Sequence, residues 1–330
     1  MNMKNVLNKV SEGKNLEYME AREVFAALFE GDLTPAQSGA LLMGLKMKGE
    51  CADELLAAVE IALGKARLVE GLEGTRIDTC GTGGDGKQSF NCSTAVAFFL
   101  ADLGYKVVKH GNKAVSSACG SADVVDALGL PLLKEPEEVK AELEQRNFAF
   151  IFAPHFHPAF ARIAPIRQEL GMRTIFNFMG PLLNPARPTH QILGVARPEF
   201  APLMADVLAK RGVTAAVVHG SGGFDELTPC GPCQMTLVKD GKVDEFFLEP
   251  KEYGFDRCEP SDLACENKEE AISMQKRVLS GAGPRPIQDM VALNLGLALS
   301  LLQPEKELKE CMDEARDAVA RGAGILKDEG

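Results

Sequence analysis

From Arg76 onward the chain alternates short β-branched runs with helical stretches, a pattern that folds into a largely parallel sheet with helices on its faces. The strand candidates are residues 76–79, 106–108, 148–152, 191–195 and 215–218, with helical patterns over 94–103, 121–128, 137–146 and 200–211. Asp240-Gly241 separates two further runs, 234–238 and 242–247, and is the strongest hairpin signal in the chain, so the sheet is expected to be mixed. Before Arg76 no strand candidate occurs. Apolar positions at helical spacing fill 16–29 and 52–68, and Thr34-Pro35 reads as a cap followed by proline at the first helical position. Helical texture returns at 162–170, a proline-rich connection covers 180–188, and helices over 287–301 and 305–320 close the chain.

Of the 330 residues 45% are hydrophobic and 25% charged, enough to bury a sizeable core. The formal net charge of −11 argues against a protein that binds nucleic acid by broad phosphate neutralisation, so an anionic ligand must be met by localised cations, backbone amides or a metal. Residues 1–13 lack the apolar segment of a secretory signal, and the run 95–101 is too short to span a bilayer, which makes a cytoplasmic protein without a membrane partner the expectation. The nine cysteines are scattered and expected to be reduced. Cys230-Gly-Pro-Cys233 matches C-x-x-C, but the residues after it continue as a strand and no second pair completes a zinc site, so a turn with two incidental thiols is expected.

The chemistry concentrates on residues 77–94, Ile-Asp-Thr-Cys-Gly-Thr-Gly-Gly-Asp-Gly-Lys-Gln-Ser-Phe-Asn-Cys-Ser-Thr, which read as strand, glycine loop and helix start. Glycines at 81, 83, 84 and 86 are expected to take positive φ and bring N–H groups to a phosphate, beside the positive end of the following helix. The dinucleotide pattern G-x-G-x-x-G fits, but the next strand ends in Lys109-His110 where an acidic residue is wanted. The triphosphate loop G-x-x-x-x-G-K-[ST] also begins well, but Gln88 replaces its magnesium-binding hydroxyl. Ligands of open α/β sheets bind beyond the carboxyl ends of the strands. Collected there are the glycine loop with Asn91, Ser93 and Thr94; Lys109-His-Gly-Asn-Lys113; Ala153-Pro-His-Phe-His-Pro158; and His219-Gly-Ser-Gly-Gly-Phe-Asp-Glu226. Asp225-Glu226 opposite a phosphate loop suits magnesium, which is usually held by one or two carboxylates plus ligand phosphates. His155-Phe-His157 lacks a third metal ligand and is read as histidine lining a polar pocket, while Arg167 can meet a carboxylate in bidentate fashion.

These residues, in order and nearly end to end, resemble the anthranilate phosphoribosyltransferase family. The carriers are Cys80-Gly-Thr-Gly-Gly-Asp-Gly86, Asn91-Cys-Ser-Thr94, Lys109-His-Gly-Asn112, Ser116-Ser117 with Gly120-Ser-Ala-Asp123, Phe152-Ala-Pro-His-Phe-His-Pro158, Ala164-Pro-Ile-Arg167, Asn177 with Gly180-Pro-Leu-Leu-Asn-Pro185, and Asp225-Glu226. The resemblance implies a small all-helical domain (1–72 and 162–190) that forms homodimers, and a larger α/β domain (73–161 and 191–330) with a mostly parallel, mixed sheet flanked by helices. It implies transfer of the phosphoribosyl group of phosphoribosyl pyrophosphate (PRPP) to anthranilate, with Mg2+, in tryptophan biosynthesis. By motif, Gly81, Thr82, Gly83, Gly84, Asp85, Asn91, Ser93, Thr94, Lys109 and Ser121 would bind PRPP. Ser93, Asp225 and Glu226 would hold magnesium, with Lys109, Asp225 and Glu226 as the catalytic set. Gly81, His110, Asn112, His157, Arg167 and Pro181 match the anthranilate channel. Lys113 stands where the family commonly has arginine, and Glu266-Asn267-Lys268 is a second departure. Pyrimidine nucleoside phosphorylases share the architecture, but their lysine-x-serine-glycine-arginine segment is missing here.

Overall fold

The computed structural model describes residues 2–113 and 119–324. Four helices open the chain: α1 (Met3–Ser11), α2 (Tyr18–Glu30), α3 (Pro35–Lys48) and α4 (Ala52–Gly64). Then follow β1 (Ile77–Gly81), α5 (Cys92–Asp102), β2 (Val107–Gly111), α6 (Ser121–Ala127), α7 (Pro136–Arg146), β3 (Phe148–Phe152), α8 (Ala153–Phe156) and α9 (Phe160–Leu170). The remainder comprises β4 (His190–Gly194), α10 (Ala201–Lys210), β5 (Thr214–His219), β6 (Cys233–Lys239), β7 (Lys242–Leu248), α11 (Lys268–Leu279), α12 (Arg285–Leu302) and α13 (Leu308–Arg321). Two compact units result, Met1–Leu68 with Pro154–Pro185, and Val69–Ala153 with Ala186–Gly330. The returning segment thus starts at Pro154, where 162 was expected, because the chain leaves the sheet as soon as β3 ends.

In the helical unit, the Thr34 hydroxyl and the Gln37 side chain cap α3 reciprocally, as the Thr-Pro pair foretold. Glu54, fully buried at the start of α4, accepts from the Leu16 N–H (2.8 Å), the Cys51 N–H (3.0 Å) and Lys48 Nζ (2.7 Å). A buried charge is tolerated only when paired and hydrogen-bonded, and this carboxylate fastens three backbone segments by meeting that condition. Phe29 of α2 meets Phe160 and Phe176 edge to face, which anchors the returning segment.

In the α/β unit the sheet runs β3-β2-β1-β4-β5-β6-β7, parallel from β3 to β5 and antiparallel over the last two pairs. Asp240 and Gly241, both at positive φ, make the hairpin turn joining β6 to β7. Strand order reverses direction at β1, which has β2 on one side and β4 on the other, and such a switch point opens a crevice at the carboxyl ends of the strands. Beside the sheet, α5 is buried along nearly its whole length and α12 buries thirteen residues. The two helices therefore form part of the core itself. Glu266-Asn267-Lys268 starts α11: Asn267 accepts from the Glu270 N–H (2.9 Å) as N-cap, and Lys268 pairs with Asp123 (2.6 Å). No helix among the described residues is long and apolar enough to cross a membrane.

Candidate active site

Two loops meet at the switch point. The first leaves β1 through Gly81, whose backbone pairs with Gly194 of β4; the second carries Asp225-Glu226 after β5. A Cβ on Gly194 would overlap the Asp225 carbonyl, and one on Gly81 would overlap the Asp225 carboxylate, so bare backbone at these strand ends lets the acidic loop lie across the sheet edge. Gly81 consequently departs from the expected role: it lies in β1 without positive φ, and only Gly83, Gly84 and Gly86 take that conformation.

The two carboxylates face the anion donors directly. The Gly83 N–H donates to Asp225 Oδ2 (2.8 Å), and the Ser93 N–H, in the first turn of α5, donates to Glu226 Oε1 (2.7 Å). Lys109, 1% exposed, donates from Nζ to the Thr79 carbonyl and to Ser93 Oγ (3.2 Å). Burial pushes the Asp225 carboxyl up to about 6, with Asp85 adding like-charge repulsion. Glu226 is also pushed up, by burial first and then by Asp225, and burial lowers Lys109 against the opposing pull of Asp78. Three carboxylates thus crowd one rim.

Asp85 Oδ1 accepts from the Lys87 N–H (3.1 Å), while Oδ2 is buried with no hydrogen-bond partner among the described residues. Ser93, Asp225 and Glu226 line one small hollow of about 10 Å³, together with Thr79, Gly194 and Asn294. Hard oxygen donors, mutual repulsion and an orphaned carboxylate oxygen all fit a divalent cation. Among the described residues no group of three His, Cys, Asp or Glu side chains is placed to hold an ion.

The remaining residues named from sequence fall as follows. Asn91 Nδ2 donates to the Cys119 carbonyl (3.2 Å), and Ser121 opens α6 beside Gly111. Thr94 is fully buried, with its hydroxyl unpartnered among the described residues. Thr82 Oγ1 accepts from the Ala196 N–H (3.1 Å), Asn112 is exposed and His110 half-buried. Ser116 and Ser117 lie outside the described residues.

In the helical unit a pocket of about 430 Å³ is lined by Ala164, Arg167, Gln168, Gly171, Met172, Arg173 and Asn177, with Arg167 half-buried. Two guanidinium groups on one pocket suit a small carboxylate. Pro181 is buried, and so is His157, whose ring stands edge to face on Phe160. That burial lowers the His157 imidazole to about 4, while His155 is the exposed one of the two.

The C-x-x-C pair is divided. Cys233 begins β6 and accepts from the Ser221 and Thr228 N–H groups (both 3.5 Å), whereas Cys230 Sγ lies 3.7 Å from Cys258 Sγ. Asn294 had no sequence signal, being one polar residue in an apolar helix. From α12 its Oδ1 accepts from the Leu227 N–H (3.0 Å) and its Nδ2 donates to the Leu227 carbonyl (2.8 Å), which braces the residue next to Glu226.

The helical bundle domain of the glycosyl transferase family matches residues 4–66, and that family's a/b domain matches residues 73–325. An anthranilate phosphoribosyltransferase of Nitratidesulfovibrio vulgaris is 52% identical over 325 residues, covering 97% of this chain and 96% of its own. The crystal structure of the anthranilate phosphoribosyltransferase of Thermus thermophilus aligns with a TM-score of 0.90 at 38% identity, covering 98% of this chain and 97% of that one. The Saccharomyces cerevisiae enzyme, in complex with PRPP and Mg, aligns with a TM-score of 0.86 at 28% identity, covering 98% and 94%. With a glycine loop and an acidic pair meeting at the sheet edge and relatives matched almost end to end, this chain belongs to the anthranilate phosphoribosyltransferase family.

Proposed function

We propose that this protein transfers the phosphoribosyl group of PRPP to the amine of anthranilate, releasing pyrophosphate in a step of tryptophan biosynthesis, with Mg2+ held by Ser93, Asp225 and Glu226. The observation that supports this reading most is the contact between the Gly83 amide and the Asp225 carboxylate, which joins the glycine loop to the acidic loop at the rim. Gly81 to Asp85, Asn91, Ser93, Thr94, Lys109 and Ser121 are the proposed PRPP residues.

Displacing pyrophosphate builds negative charge on the departing group. Bound magnesium supplies charge neutralisation there. The Gly83 and Ser93 N–H groups, now directed at carboxylates, are preorganised donors for the phosphate oxygens, and Lys109 adds a fixed positive charge behind them. The arylamine has only to be held near the anomeric carbon, losing its proton as or after the new bond forms. The Arg167 and Arg173 pocket is the proposed seat of the anthranilate carboxylate.

Mixing purified protein with anthranilate, PRPP and magnesium should extinguish anthranilate fluorescence, and leaving out magnesium should stop the decay. No decay with the full mixture refutes the activity. A homodimer belongs to the same proposal, supported by Met19, Met43 and Met47 on α2 and α3, which are 64%, 43% and 72% exposed. Light scattering that returns a monomer mass at micromolar concentration rejects it. A cytoplasmic setting is proposed too, since none of the nine cysteines is in a disulfide; localisation of a tagged protein to another compartment would refute that.

A further inference from the structure

We propose that Lys87 is a further ligand of the diphosphate group of PRPP, reaching it from the glycine loop across the loop that carries the acidic pair. The inference rests on the PRPP reading above and adds a residue to it.

Lys87 follows Gly86 at the end of the glycine loop, and its side chain does not run outward into solvent alone. Its ammonium lies 5.8 Å from the centre of the Phe224 ring, the residue before Asp225, and that ring is 1% exposed. Its stem passes over Gly223, where a Cβ would come within 3.4 Å of Lys87 Cε. Gly223 sits at a φ of 84°, so a bare, left-handed residue at this position both turns the loop and leaves the lysine its path. The side chain therefore connects the two loops that the Gly83–Asp225 hydrogen bond also joins.

Charge makes the case specific. Asp225 and Glu226 meet the glycine loop and the start of α5 here, and Asp85 belongs to that same loop, so the rim is rich in carboxylates. Lys109 spends two of its N–H groups on the Thr79 carbonyl and Ser93 Oγ, which leaves room for a second cation at the diphosphate. The Lys87 ammonium is held by the face of an aromatic ring, and among the described residues it makes no ion pair or side-chain hydrogen bond. A cation over a ring keeps its N–H groups available, and a lysine ammonium on a flexible stem serves as a point charge for phosphate.

The test is calorimetric titration of the full-length protein with inorganic pyrophosphate and magnesium, comparing wild type with Lys87→Met and Lys87→Arg. Methionine keeps the apolar stem over Gly223 and Phe224 while removing the charge. Losing one charge-assisted contact should weaken pyrophosphate by ~10-fold in Lys87→Met, with arginine restoring most of it. In the fluorescence assay KM for PRPP should rise by a similar factor while KM for anthranilate and the melting temperature stay put. Equal pyrophosphate affinity in wild type and Lys87→Met overturns the role of Lys87. Failure of the wild type itself to bind magnesium pyrophosphate overturns the PRPP reading on which it stands.

Discussion

His157 shows what burial does to one titratable side chain. Desolvation lowers its imidazole from 6.5 to about 4 despite a favourable meeting with the Leu183 backbone. Between those two values the unfolded chain binds a proton that the folded unit does not, so the stability is fully present above pH 6.5 and is lost as pH falls toward 4. At 1.36 kcal/mol per unit the loss is about 3 kcal/mol. Urea denaturation of wild type and His157→Phe from pH 7 to pH 4 should show a steeper decline in the wild type; parallel curves would mean that this ring does not titrate as its burial requires. The case also marks a limit of reading residues from sequence. His155-Phe-His157 looked like a polar pocket lining because side chains in a loop carry no pattern that says which faces inward, and the structure gives one to solvent and one to the core. Asp225-Glu226 was singled out only because a glycine loop was expected opposite it, and the structure sets the Gly83 amide against the Asp225 carboxylate.

At the scale of elements, every strand was visible as a β-branched or apolar run, but β1 and β2 extend further than their apolar residues. Pairing continues through Gly81 opposite Gly194 and Gly111 opposite Phe152, so the glycines at these two strand ends belong to the sheet itself. Helix α11 escaped notice because only Ala271, Gln275, Val278 and Leu279 are buried among its charged residues. Helix α12 was recognised, yet its functional contribution was hidden in Asn294, whose two hydrogen bonds to Leu227 hold the end of the acidic loop. Replacing Asn294 by Asp keeps an acceptor for the Leu227 N–H but sets a second oxygen against the Leu227 carbonyl. About 1–3 kcal/mol of stability should be lost, the usual cost of a buried group left without its partner. Because the strain falls beside Glu226, the magnesium concentration needed for half-maximal pyrophosphate binding should rise several-fold. A stability loss with an unchanged magnesium requirement would assign Asn294 to the core alone.

Across the whole molecule, residues far apart in sequence reach one rim because parallel strands all end on the same side. Gly83 follows β1, Lys109 lies within β2 and Asp225 follows β5, and the order β2-β1-β4-β5 brings these strands side by side. The sequence motifs gave the set of residues; the strand order that makes them neighbours could not be read from the chain, since the alternation of strands and helices fits several orders. The division into two units, each with its own buried core, yields a further expectation. All proposed PRPP and metal residues, from Gly81 to Lys109, Ser121, and Asp225 with Glu226, belong to the α/β unit. A ligand that binds only the folded form stabilises it by about 2.7 kcal/mol at a hundredfold excess over Kd. Magnesium pyrophosphate should therefore slow amide exchange in the peptides that contain β1, β4, β5 and the start of α5, since opening those segments would require releasing the ligand. Exchange in α2 and α4, whose stability rests on the helical unit's core, should follow pH through His157 and respond far less to the ligand. Protection confined to the helical unit would place the anion on the wrong unit, and would count against the rim as the seat of the diphosphate.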